Sequence, residues 1–179
     1  MKSMKNAFVR AGLLIGALFV LTVGVTGCVN PVTEYVIPKD ELDLDGTWVY
    51  HGTWDETYKI SLEDYTFDAG SYSYAGNDLR IRFTGSDSGY IYIKYTRAFC
   101  LSHSNFDNYI YTYDGDAPDV GKWYAISFKN LTDTSIQLSG AYGSVDGHKV
   151  SATETLKEAI AEFTIENGYF ATYSDLVKE

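Results

Sequence analysis

From residue 46 onward, apolar and polar residues alternate with a period of two. Gly46-Thr-Trp-Val-Tyr50 opens the series. Tyr58, Ile60 and Leu62 alternate with Lys59, Ser61 and Glu63. The same holds for Leu79, Ile81 and Phe83, for Ile91, Ile93 and Tyr95, for Tyr124, Ile126 and Phe128, and for Ile136 and Leu138. This spacing predicts half-buried strands, since successive side chains of a strand point to opposite faces. Weaker strand candidates are Tyr65–Phe67, Ser71–Ala75 and Tyr109–Tyr113. Between them lie turn-prone stretches: Ala69-Gly70, Gly76-Asn77-Asp78, Gly85 to Gly89, Asp114-Gly115-Asp116 and Asp146-Gly147. Connections this short predict antiparallel neighbours in a meander.

One segment departs from the rule. Ser151-Ala-Thr-Glu154 fits a helix capping box, and Leu156, Ala159, Ile160 and Phe163 follow with helical spacing. Asn167-Gly168 supplies a stop, and Tyr169 to Tyr173 reads as a short last strand. About eight strands, a helix and a final strand predict an all-β fold, a single antiparallel up-and-down barrel over residues 46–179. A barrel of eight strands has an interior just wide enough for side chains or one small ligand.

The amino terminus has a different pattern. Lys2, Lys5 and Arg10 precede the apolar run Ala11–Val25, which ends in Val25-Thr-Gly-Cys28. A bilayer span needs roughly 20 apolar residues, so the run is too short to cross. A positive start, a short apolar core and a small-residue cleavage site are the pattern of an export signal over residues 1–27. The terminal tetrapeptide resembles the lipobox of bacterial lipoproteins. That resemblance implies cleavage before Cys28 and a diacylglyceryl group on its thiol, so that the acyl chains hold the protein on a membrane. Val29, where some lipoproteins carry an inner-membrane retention Asp, favours the outer membrane of the cell envelope. Residues 28–45, with Pro31 and Pro38, read as a flexible tether.

Composition narrows the partners. Residues 1–27 hold three basic and no acidic residues, so their removal lowers the formal charge from −10 to −13. Such a surface disfavours nucleic acid, whose phosphates require Lys and Arg. Cys100 is the only other cysteine; an acylated Cys28 leaves it no intrachain partner. Flanked by Phe99 and Leu101, it reads as a buried thiol. Sixteen Tyr, nine Phe and three Trp suit pleated surfaces.

The domain resembles the lipocalin-like, or calycin, family. Gly46-Thr-Trp48 matches the family's G-x-W at the start of the first strand, and the meander and late helix follow in the same order. The stretch ATETLKEAIAEFT is similar to the endings of spirochaete envelope lipoproteins. The resemblance implies that Gly46 and Trp48 plug one end of the barrel. It also implies a basic residue covering Trp48 from near the last strand, for which Arg97 and Lys178 are the candidates.

No catalytic motif, metal-ligand spacing or cofactor fingerprint stands out. His51, His103 and His148 are far apart, and Asp114 to Asp119 lacks the ligand order of a calcium loop. Asn130-Leu-Thr132 reads as a strand end. The rows Tyr90/Tyr92 and Tyr109/Tyr111/Tyr113 are either a binding face or cross-strand packing. Two functions stay open. In one, the barrel holds a small apolar ligand against Tyr58, Ile60, Phe83, Ile93 and Phe128. In the other, a filled barrel serves as a protein-interaction or structural module of the envelope. An enzyme is not expected.

Overall fold

The computed structural model describes residues 43–70, 73–105, 108–141 and 150–179, with side chains described outside 100–113. Cys28, the expected signal peptide, most of the expected tether and His148 lie outside the described residues.

Among the described residues, nine strands and one helix follow in chain order: β1 (Gly46–Tyr50), β2 (Glu56–Ser61), β3 (Thr66–Asp68), β4 (Ala75–Phe83), β5 (Gly89–Asn105), β6 (Asn108–Asp114), β7 (Trp123–Lys129), β8 (Ser135–Gly140), α1 (Leu156–Glu162) and β9 (Ser174–Lys178). Every pairing is antiparallel. The order β1-β2-β3-β4-β5-β7-β8-β9 returns to β1 through the Trp48–Lys178 and Val49–Val177 pairs, closing an eight-stranded barrel. Strand β6 stands outside the ring. It pairs with the second half of the 17-residue β5, whose first half pairs with β4 and β7. The hairpin β5–β6 thus continues beyond the barrel, and β7 resumes its line after the turn at Gly115–Lys122.

Three local details differ from the sequence expectation. The helix is capped by Thr155, not Ser151: the Thr155 hydroxyl accepts from the Glu158 N–H at 3.2 Å and the Glu158 carboxylate accepts from the Thr155 N–H at 2.9 Å. Thr155 to Glu158 is a second copy of the same pattern, and Ser151 instead donates to Asp119 at 2.6 Å. The last strand is Ser174–Lys178, one segment later than Tyr169–Tyr173, where Phe170 takes a left-handed φ of 69°. Gly76-Asn77-Asp78 is not a turn between strands. It is an irregularity inside β4, where the pairing with β5 shifts register between Asn77 and Arg80. Gly76 is buried there, and a Cβ on it would lie 2.8 Å from both the Ile93 side chain and the Lys94 carbonyl oxygen.

Candidate functional site

Paired residues in antiparallel strands share a face, so the register defines the barrel interior. Trp48 pairs with Tyr58, and Ile60 with Phe67. Ile91 pairs with Ile81 and Ile126, Ile93 with Tyr124, Phe128 with Leu138, and Ile136 with Leu176. All five residues expected to line a cavity belong to this inward set. Ile60, Ile93 and Phe128 are at most 2% exposed. Tyr58 and Phe83 are partly buried and pack on the core, with the Phe83 ring edge-on to Phe128 at 5.3 Å.

Each pole has its own filling. At the pole where β1 begins, Trp48 is fully buried and its indole N–H donates to the Leu44 carbonyl at 3.0 Å. The Lys178 ammonium lies 5.2 Å from the centre of the indole and also reaches the Asp43 carbonyl at 3.0 Å. Gly46, at φ 127°, leaves room for it: a Cβ there would stand 2.8 Å from the Lys178 side chain. Lys178 is therefore the basic residue over Trp48.

Arg97 works at the other pole. Its guanidinium donates to the carbonyls of Ser73 and Gly70 at 2.8 and 2.6 Å and to the Asp68 carboxylate at 2.8 Å. It thereby holds the turn that delivers Tyr74 into the mouth. Tyr74 stacks on Phe67 at 5.7 Å and meets Tyr124 edge-on at 5.1 Å, and Tyr124 stacks on Tyr95 at 4.9 Å. Gly140 makes this possible, because a Cβ there would collide with the Tyr124 hydroxyl.

The aromatic contacts continue over the rim. Tyr124 touches Phe163 at the helix end, Phe163 touches Tyr169, and Phe170 lies 5.5 Å from Tyr90. The segment after α1 thus covers the outer face of β5 and β7. Tyr173 hydrogen-bonds Ser127 at 2.8 Å, and Lys129 sits 3.8 Å from the Tyr173 ring centre. Tyr90, Ile91, Tyr92 and Ile93 are consequently all buried. Burial raises the hydroxyl pKa of Tyr90 above its ordinary value. It pushes that of Tyr169 up to about 12, aided by the 2.7 Å hydrogen bond to Glu162. Tyr90 and Tyr92 are packing residues rather than a contact face. The side chains of Tyr109, Tyr111, Tyr113, Cys100 and His103 lie outside the described residues.

His51 pairs with Asp55 at 3.1 Å in the exposed turn between β1 and β2. The Asp114 carboxylate accepts the Asp116 N–H at 3.0 Å, an Asx turn, and Asp119 is held by Ser151 and Lys122. Asn130, at φ 53°, ends β7.

Two features went unread in the sequence. Trp54, in the turn between β1 and β2 at the pole opposite Gly46, is 82% exposed. A cleft of about 600 Å³ on the outside of the barrel is lined by the turn after β2 and by the irregular part of β4, Asp64, Tyr65 and Asn77 to Ile81. A glycine inside a strand pattern marks a bulge or a close backbone approach, and Gly76-Asn77-Asp78 carried that signal. Comparison of the chain with protein-family models, with curated proteins and with solved structures found no match.

Proposed function

We propose that the protein is a lipid-anchored lipoprotein of the cell envelope, held at the outer membrane by Cys28, and that its lipocalin-like barrel is a filled interaction module rather than a carrier. One observation carries the second part. The positions that a carrier would leave around a ligand are occupied: Trp48, Phe67, Ile91, Ile93, Ile126, Phe128 and Ile136 are each at most 1% exposed, and Tyr74 stacks across the mouth. A ligand pocket spans roughly 300–1,000 Å³; clefts of about 600 and 360 Å³ are lined by strand turns and by exposed residues such as Asn77 and Asp78.

Trp54 projects from the pole opposite Gly46 and Lys178 and is 82% exposed. An exposed Trp is suited to contact with a partner. The partner is proposed to be a protein of the envelope, and no reacting group is required of the barrel.

The test is a titration of the purified full-length protein with a fluorescent apolar probe whose emission rises in a dry site. A filled barrel gives no saturable signal above that of the detergent alone. Saturable emission, quenched by an apolar substitution that fills the mouth, would restore the carrier reading.

A further inference from the structure

We propose that the outer cleft between the turn after β2 and the irregular part of β4 is a saccharide-binding site. Several independent features meet there. Tyr65 and Asp78 are both held in the left-handed region, at φ 55° and 53°, which non-glycine residues adopt where the surroundings impose it. The two are tied together: the Leu79 N–H donates to the Tyr65 carbonyl at 3.0 Å. The register shift between Asn77 and Arg80 turns both Asn77 and Asp78 outward as consecutive exposed residues, and bulges commonly re-aim side chains at ligand sites.

The resulting lining has a defined chemistry. The Tyr65 side chain is half exposed and the Arg80 guanidinium lies 5.7 Å from its ring centre. Asp64, Asn77 and Asp78, all exposed, complete the lining, with the Asp64 carboxylate accepting from the Ser61 hydroxyl at 3.1 Å. Carboxylates accept from hydroxyls, the guanidinium donates to them, and an amide does both. An aromatic ring adds an apolar surface for the C–H face of a sugar. Both acids and the base are present, so the lining suits a neutral or amino sugar better than a phosphate, which two carboxylates repel. The site is separate from the barrel interior and does not depend on whether that interior is filled.

The test uses the full-length protein, labelled with nitrogen-15, in a polyoxyethylene detergent that carries no sugar. It is titrated with trimers of glucose, galactose, mannose and N-acetylglucosamine. The expected result is saturable amide shifts with at least one trimer, confined to Asp64–Thr66 and Asn77–Arg82. Tyr65→Ala is expected to weaken that binding by about tenfold. Asp78→Gly removes the carboxylate while glycine keeps the left-handed backbone; it is expected to weaken binding with an otherwise unchanged spectrum. Absence of saturable shifts with all four trimers, or binding that both variants leave intact, would overturn the proposal.

Discussion

Lys178 lies over the face of Trp48 because the last strand enters the ring in the register that sets these two residues opposite each other. The contact joins the two ends of the domain at one pole. It buries the largest core side chain while the ammonium stays bound to Asp43. A cation over an indole contributes on the order of 0.5–2 kcal/mol; the indole itself contributes far more through its burial.

Replacing Trp48 by Ala is therefore expected to destabilise the protein by about 3–5 kcal/mol, the range for a core aromatic. Lys178→Met keeps the aliphatic stem and loses the charge, and should cost about 1 kcal/mol. Chemical denaturation of both variants checks the order; equal losses would contradict it.

Gly76 is expected to tolerate no side chain. Gly76→Ala puts a methyl against the Ile93 side chain and the Lys94 carbonyl, an overpacking worth about 1–3 kcal/mol. The melting temperature should fall, with the circular dichroism of the sheet retained. An unchanged melting temperature would mean that β4 shifts freely at this point.

Arg97 holds the turn under Tyr74 by three hydrogen bonds. Arg97→Met should raise amide exchange at Ala69 and Tyr74 more than at Trp48. A uniform rise would indicate global rather than local loosening.

Tyr169 gives a pH dependence with a defined sign. Its pKa is raised in the folded state, to about 12, by burial and by Glu162, against about 10 in an unfolded chain. The folded state holds the proton more tightly, so this contribution to stability is fully present below pH 10 and is lost as pH rises from about 10 to about 12. Tyr169→Phe should flatten part of the alkaline decline in stability. Tyr90, raised in the same direction, leaves the remainder.

Much of this architecture was legible as period-two patterning. Strands β2, β5, β7 and β8 and the second half of β4 follow it, and the number and order of elements implied closure. Three things were not legible, each for a physical reason. Tyr90 and Tyr92 stayed open between a binding face and cross-strand packing, because the segment that covers them, Tyr169 to Tyr173, comes much later in the chain. That segment is aromatic because it packs, and it therefore resembled the strand that actually follows it. Gly76-Asn77-Asp78 has the composition of a turn, and only the long-range pairing with β5 keeps it inside a strand. Within the candidate interior, alternation identified which residues point inward. Whether they leave a cavity depends on how Tyr74, Tyr95 and Tyr124 stack, which no local pattern carries.

The proposed anchor has its own test. Cys28→Ala should move the protein from the detergent phase to the aqueous phase on phase partition, since no described helix is long and apolar enough to cross a membrane. Retention in the detergent phase would contradict lipidation as the means of attachment.

The filled barrel is tested most directly by native mass spectrometry of the full-length protein, released from non-ionic detergent after gentle extraction from its own cell type. The expected result is the mass of the acylated polypeptide alone. A reproducible additional mass that disappears on denaturation would contradict it, and would identify the barrel as a carrier.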